Sequence, residues 1–175
     1  MKRILKPCFL FLMIISVNFL AAFQVAAQSL ESSAIKDHQS NASSEKKDLA
    51  ILDKWSGDYP VDKLECLPLG QQEVRVGYIS DKLIFSDVWK AFKPAEPVPE
   101  IDFGKNMVIF SRNVQFYNRL NIFRIIIDNG VAEVLAMETM SAMPIEDKVA
   151  MAMAVVSRSE IRFLQTGQMK LLVHP

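Results

Sequence analysis

The chain is poor in the residues that most often carry catalysis. It contains two histidines, two cysteines and six glycines among its 175 residues. His38 and His174 lie far from the middle of the chain, and a Ser-His-Asp triad would require the penultimate residue to be buried and oriented. The glycines are scattered singly, so no glycine-rich phosphate-binding loop occurs. Because no complete catalytic motif is present, we expect neither an enzyme nor a cofactor.

The first 27 residues have the order of a secretory signal peptide. Three basic residues within the first six are followed by an apolar segment, residues 9–23, and by small residues at positions 25–27. The apolar segment is shorter than the roughly 20 residues that span a bilayer, although a retained anchor is the alternative. We predict cleavage after Ala27 and a periplasmic or secreted protein that meets a membrane only through this signal during export.

Cleavage would leave a weakly acidic chain with a single cysteine. The signal removes three of the 20 basic residues, which leaves 17 against 20 acidic residues and a net charge of −3. A nucleic-acid partner would select a basic face, so we expect none. Cys66 alone cannot form an internal disulfide, and we interpret it as a small buried residue rather than a reactive thiol.

Composition divides the remaining chain into two parts. Residues 28–48 are rich in Ser, Lys and Glu and have no aromatic residue. Such a segment buries too little apolar surface to become ordered, so it is predicted to be a flexible tether. Residues 49–175 have the length of one domain, with 49–72 as an ordered connector and 73–175 as the core.

Alternating apolar residues predict a mainly antiparallel sheet after the connector. Asp128-Asn129-Gly130 is a tight turn signal, because Asn and Gly accept positive φ at low cost. Residues 48–55 could be a short helix or a strand. Strands are predicted at residues 73–79, 106–112, 120–128, 131–140 and 149–157, with a closing hairpin of 160–165 and 169–173.

One short helix is predicted near residues 86–93. Ser86 can cap its N-terminus, Phe85, Trp89 and Phe92 fall on one face, and Pro94 ends it. Runs of strands with a single early helix indicate a mainly β, β-rich α+β fold. We therefore expect a small antiparallel sandwich or an open barrel.

Five of the nine methionines lie between Met137 and Met153, which raises the choice between a soft-metal site and core packing. Thioether sulfur binds Cu(I), and Met137, Met140 and Met143 recur at every third position. In a strand, however, residues three apart point to opposite faces. Met151 and Met153 would share a face with two valines, opposite a face of small alanines, which is typical of packing between two layers. We favour packing and keep a periplasmic Cu(I) site at Met137, Met140 and Met143 as the alternative.

A polar loop between two predicted strands is the favoured contact surface. Arginine guanidinium groups can grip carboxylate or phosphate, and Tyr and Arg are frequent contact residues. The alternative is that Phe116 and Tyr117 fold back over the core. The predicted contact residues are Arg112, Asn113, Gln115, Tyr117, Asn118 and Arg119.

The segment from Leu83 onward carries a distinctive order of motifs. FSDVWKAF precedes VPEIDFGKNMVIF, and a polar loop, a strand hairpin, a proline loop and closing strands follow. Over residues 83–175 this order resembles the C-terminal domain family of PrcB-type protease-complex accessory subunits. The strongest match is Pro99–Phe103 followed by Met107–Ile109, which is similar to the family's P-x-V-D-F segment before a buried strand. Where the family often has a Gly-Gly-Tyr element, this chain has residues 113–118.

The resemblance implies an exported, non-catalytic, β-rich domain that contacts or stabilises another protein. Beside it, the residues themselves predict that Asp102 caps a turn or pairs with Lys105 and that Phe103 enters the core. We therefore predict an exported interaction or accessory module whose partner is another exported protein. A periplasmic Cu(I)-binding protein is the alternative.

Overall fold

A computed structural model of the chain describes residues 46–113, 119–139 and 146–174. These residues fall within one unit of the chain. The predicted signal peptide, residues 1–27, and most of the predicted tether, residues 28–48, lie outside the described ranges, so both stay predictions. Across the described ranges, no helix has the length and apolar character that crossing a membrane requires.

The described residues form two packed sheets with one α-helix. Sheet A has the strand order β1-β5-β6-β8-β9, and sheet B has the order β2-β7-β4-β3. The helix α1 covers Lys82–Phe92, and a 3-10 turn covers Val61–Cys66. The strands are β1 (Lys47–Asp48), β2 (Ile51–Pro60), β3 (Val76–Ile79), β4 (Asn106–Arg112), β5 (Arg119–Asp128), β6 (Val131–Thr139), β7 (Lys148–Ser157), β8 (Phe163–Thr166) and β9 (Met169–Leu172).

This architecture confirms the predicted β-rich α+β fold as a sandwich of two sheets. All neighbouring strands pair antiparallel except β6 and β8, which run parallel. One hydrophobic core lies between the sheets, and a second lies between sheet B and α1. The layers are therefore α1, sheet B and sheet A, in that order.

Strand β7 separates the two cores, and its alternation sets what each core contains. Ala150, Ala152 and Ala154 face the core between the sheets, where small side chains allow close approach. Met151 and Met153 face the core beneath α1 and are both 0% exposed. Successive side chains of a strand point to opposite faces, and flexible Met fills irregular volume. The prediction that these two methionines are packing residues is confirmed.

The helix starts earlier than its predicted boundary. Asp81, not Ser86, caps the N-terminus: its Oδ1 accepts hydrogen bonds from the amides of Leu83 and Ile84 at 2.8 and 3.0 Å. Asp and Ser are comparably good caps, so the sequence offered two competing start points. The helix ends at Phe92, before Pro94 as predicted.

The first described strand lies just before the predicted domain boundary at residue 49. Lys47 and Asp48 form β1, which pairs with Ile127 and Ile126 of β5. Most of the ambiguous stretch 48–55 belongs to the long strand β2. Strand β3 begins at Val76 rather than at residue 73, and β8 begins at Phe163 rather than at residue 160.

The predicted turn between β5 and β6 is confirmed. Asn129 has φ 50° and Gly130 has φ 81°, the left-handed values that a two-residue hairpin loop requires. Gly130 has a further role, because its carbonyl accepts hydrogen bonds from the amides of Arg162 and Phe163 at 2.8 and 3.0 Å. The turn therefore anchors the start of β8.

Candidate functional site

Arg112, the first residue of the predicted contact surface, is buried. It is the last residue of β4 and only 2% exposed. Its Nε donates to the carbonyl of Val74 at 2.9 Å, and its Nη2 donates to the carbonyl of Gln72. Burial lowers the pKa of the Arg112 guanidinium, and the charge of Glu73 opposes that shift. The prediction that Arg112 grips a partner at the surface is therefore wrong, because the side chain holds residues 67–75 to the core. This segment between the 3-10 turn and β3 is called the connector from here on.

The structure describes two of the other predicted contact residues, Asn113 and Arg119. Asn113 is half-buried, and its Nδ2 donates to Glu138 Oε2 at 2.9 Å. The same carboxylate pairs with Arg75 Nη2 at 2.9 Å. Arg119 begins β5 and is exposed. Three predicted residues lie outside the described ranges: Gln115, Tyr117 and Asn118.

Of the three methionines in the alternative copper site, the structure describes only Met137. Met137 lies on β6 and is 60% exposed, opposite Asn121 of β5. Met140 and Met143 lie outside the described residues, so the Cu(I) site stays a prediction. Among the residues that the structure describes, no group of three or more His, Cys, Asp and Glu side chains could hold a metal ion.

Cys66 and Tyr59 are neighbours near the 3-10 turn. Cys66 is a free thiol, partly buried against the core beneath α1. The hydroxyl of Tyr59 donates to the carbonyl of Lys63 at 2.8 Å. Burial, and after it the adjacent Cys66, raises the pKa of Tyr59, so this phenol stays protonated in the neutral range. Tyr59 and Cys66 therefore belong to the packing of the core beneath α1.

A groove of about 940 Å³ opens at the opposite end of β4 from Arg112. We call it the end groove. It is formed by the turn before β4, the loop between β7 and β8, and the last residues after β9. Lys105, Arg158, Arg162 and His174 place nitrogen-bearing side chains around it, and Ser157 and Ser159 add hydroxyls. Its apolar lining is Ile161, Phe163, Leu172 and Val173.

Main-chain contacts fix the position of Arg158 in the groove. Its amide donates to the carbonyl of Lys105 at 3.0 Å, which joins the β7–β8 loop to the turn before β4. Its Nη1 donates to the carbonyl of Phe103 at 3.2 Å. Asp102 shapes the same turn: Oδ1 accepts from the Gly104 amide at 3.0 Å, and Oδ2 pairs with Lys105 at 3.5 Å. The predicted pairing of Asp102 with Lys105 is confirmed.

Arg162 is supported from below by the β5–β6 turn. A Cβ on Gly130 would lie 3.2 Å from the Cγ and Cδ of Arg162, so the aliphatic stem crosses the bare glycine. At this end of the described chain, ion pairs join Lys105 to Asp102 and Lys47 to Glu160, and neither uses Arg158 or Arg162. The two guanidinium groups are therefore placed to meet an anion that enters the groove.

Comparisons with models of known protein families, with curated proteins and with solved structures gave no match. The function must therefore be argued from the site. A rim of cations and hydroxyls beside an apolar floor favours ligands that carry both carboxylates and apolar groups.

Sequence reasoning missed the end groove because it is assembled from distant segments. The turn at Gly104, the loop at Ser157–Arg162 and the residues after β9 are brought together only by the sheet pairings. The single local signal is SRSEIR, residues 157–162, which has two arginines and two serines in six positions. A connection between strands is the usual interpretation of so short a polar segment.

Proposed function

We propose that the chain is an exported, non-catalytic interaction module that binds another exported protein through the end groove. The observation that carries the proposal is the groove itself. It has a volume of about 940 Å³, with Arg158 and Arg162 on its rim and apolar side chains on its floor. Arginine and aromatic residues are enriched where proteins bind one another. The contact site proposed is thus the end groove rather than the surface around Arg112.

The charge contrast supports an acidic partner surface. After removal of the predicted signal the chain would carry a net charge of −3, whereas the rim of the groove is basic. An acidic protein repels an acidic partner everywhere except at a local basic patch. The patch therefore fixes the orientation in which the partner binds. The groove should therefore orient a partner as well as hold it.

The resemblance to PrcB-type accessory subunits supports the same role. It covers residues 83–175, and the residues that line the end groove, from Gly104 to His174, all lie within that range. A protease complex is accordingly one class of partner that we propose. The expected location, periplasmic or secreted, is part of the proposal and follows from the signal-like N-terminus.

Photo-crosslinking from the groove tests the proposal. Ser159→p-benzoylphenylalanine places a photoreactive ring in the groove, and Leu83→p-benzoylphenylalanine places one on the exposed side of α1 as a matched control. We expect illumination of producing cells to yield a discrete protein adduct from position 159 and none of the same mass from position 83. Adding Arg158→Gln and Arg162→Gln should remove that adduct. Equal adduct patterns from both positions would contradict the proposal.

A further inference from the structure

The described sandwich has four edge strands, β1 and β9 in sheet A and β2 and β3 in sheet B. An unprotected edge offers free backbone N–H and C=O groups to any extended segment, so proteins usually guard their edges. Short strands, bulges, prolines, charges and covering segments are the usual means. The four edges differ in whether they have them.

The edges of β1 and β2 are guarded by length and composition. Strand β1 has only two residues. Strand β2 has a register irregularity between Ile51 and Asp53, carries Asp53, Lys54 and Asp58, and ends at Pro60. Each of these features disfavours pairing with another strand.

The edge of β3 is covered by the chain itself. Gln71 is buried, and its Oε1 accepts a hydrogen bond from the amide of Tyr78 at 2.7 Å, in the place of a neighbouring strand. The connector that carries Gln71 is held in place where Arg112 binds the carbonyls of Gln72 and Val74. This edge therefore has no room for a further strand at Tyr78.

The edge of β9 is short and carries one lysine, but among the described residues it has no bulge, no proline and no covering segment. Its pairing with β8 is regular over Met169–Leu172. Its one charge, Lys170, lies with Nζ 4.3 Å from the ring centroid of Phe163, so the ammonium group is held over the face of the sheet. Met169 and Leu172 are 49% and 48% exposed.

The backbone of β9 points its free groups outward in alternation. The amide of Val173 donates to the carbonyl of Arg162 at 2.9 Å, which directs the backbone of Val173 toward β8. In an antiparallel pair, successive residues alternate between facing the partner and facing away. The N–H and C=O groups of Lys170 and Leu172 therefore face the outer edge of sheet A.

The open edge leads directly into the end groove. Leu172, Val173 and His174 line the groove where β9 finishes, beside Arg158 and Arg162. We propose that β9 receives an extended acidic segment of the partner protein as an additional strand, whose Asp or Glu side chains enter the end groove. This inference rests on the proposed function and specifies the chemistry of the partner.

Charge complementarity favours this occupant over a second copy of the chain. Two copies joined through β9 would bring two sets of the same cations, Lys170, Arg158 and Arg162, toward one interface. Like charges across an interface cost binding free energy, whereas carboxylates would satisfy the guanidinium groups. The apolar residues Leu172 and Phe163 would meet alternate apolar side chains of the added strand.

Binding of a defined peptide tests the strand. The probe is a fluorescent peptide of about eight alternating Val and Glu residues, capped at both ends, and its control replaces every Glu by Gln. We expect saturable anisotropy with the chain lacking residues 1–27 and about tenfold weaker binding of the Gln control. Arg158→Gln with Arg162→Gln should weaken the Glu peptide by a similar factor and leave the Gln control unchanged.

N-methylation of the peptide tests its geometry without altering the protein. Methyl groups on every second amide block the N–H groups of one edge of the added strand only. One of the two alternating methylation patterns should abolish binding, and the other should be tolerated. Equal tolerance of both patterns would overturn strand addition, and equal affinity for Glu and Gln peptides, or no binding of either, would overturn the acidic occupant.

The two proposals can fail separately. A dimer in analytical ultracentrifugation that the Glu peptide does not dissociate would assign β9 to a second copy and overturn the present inference. The crosslink from position 159 would still stand or fall by itself, because it requires only that a protein occupies the groove.

Discussion

The two ends of β4 carry arginines with opposite surroundings. At one end, Arg112 is enclosed and its guanidinium binds two carbonyls of the connector. At the other end, Arg158 has one carbonyl partner, that of Phe103, and Arg162 lies along the β5–β6 turn and is exposed. The difference is that two main-chain carbonyls lie within reach of Arg112, so its guanidinium group is used within the fold, whereas that of Arg162 remains exposed.

The largest loss of stability should come from replacing Arg112, the buried arginine. Arg112→Ala removes two charge-assisted hydrogen bonds and leaves two connector carbonyls unpaired, so we expect the free energy of unfolding to fall by about 3 kcal/mol. Arg112→Lys should lose less, because its ammonium group can still donate to a carbonyl, but it should not restore full stability, because it cannot reproduce the guanidinium fork. Urea unfolding followed by tryptophan fluorescence measures both. A loss below about 0.5 kcal/mol for the alanine variant would show that the connector does not depend on Arg112.

The connector held by Arg112 should in turn protect β3. Gln71→Ala removes the acceptor of the Tyr78 amide, and we expect a loss of roughly 1.5 kcal/mol because a buried donor is left without a partner. The bared edge should also increase self-association, which sedimentation velocity detects. Leu69→Ala, at a residue of the same segment that is 95% exposed, is a nearby control that leaves the Tyr78 contact intact. A variant that is fully stable and associates no more than the natural chain would remove Gln71 from its proposed protective role.

Replacing Ser111, the residue before Arg112, should increase the stability of the protein rather than reduce it. Ser111 is 1% exposed, and its Oγ has no hydrogen-bond partner among the described residues. Ser111→Ala removes an unsatisfied buried hydroxyl and should raise the free energy of unfolding by about 1 kcal/mol. Thermal unfolding by calorimetry provides the measurement. A destabilised alanine variant would indicate that the hydroxyl has a partner in the folded protein.

At the open end of β4, loss of an arginine should barely change stability. Arg162→Gln keeps most of the stem that lies across Gly130, and we expect the free energy of unfolding to change by less than about 0.5 kcal/mol. The same urea titration used for Arg112 gives a direct comparison between the two ends. A loss as large as that of Arg112→Ala would mean that Arg162 belongs to the folding framework.

The smallest change in stability should come from the exposed ion pair between Arg124 and Asp48. Arg124 Nε donates to Asp48 Oδ1 at 2.6 Å, and this hydrogen bond lowers the pKa of Asp48. The stabilisation is present above the unfolded-state pKa and is lost as the pH falls through the lower folded-state pKa. Asp48→Asn should therefore be slightly less stable than the natural chain at pH 7 and equal to it at strongly acidic pH. Identical stability at pH 7 in low salt would show that the pair contributes nothing.

Much of the sandwich could be predicted from local pattern. Strand β4 matches its predicted bounds, because its centre, Met107–Phe110, is apolar throughout and lies between two cores. The alternation of Ala and Met along β7 correctly assigned each to a different face. These signals are strong because burial acts on every residue of a central strand.

Contacts between distant segments were not predictable in the same way. The carbonyls that bind Arg112 come from the connector, and the hydrogen bond to Gln72 spans 40 positions of the sequence. The end groove likewise unites Gly104, Arg158 and His174. Residue type and local spacing cannot report such meetings, since the pairing of whole strands decides them. The helix boundary failed for a different reason, because Asp81 and Ser86 are both suitable caps.

Because the methionines differ in burial, their oxidation should report whether the protein has unfolded. Peroxide reaches exposed thioethers first, so Met137 should become a sulfoxide while Met151 and Met153 remain reduced inside the fold. Sulfoxide at either buried position would signify that β7 had left the sandwich at least once. In oxidising surroundings, the order in which these sulfurs are modified would thus register how often each molecule opens.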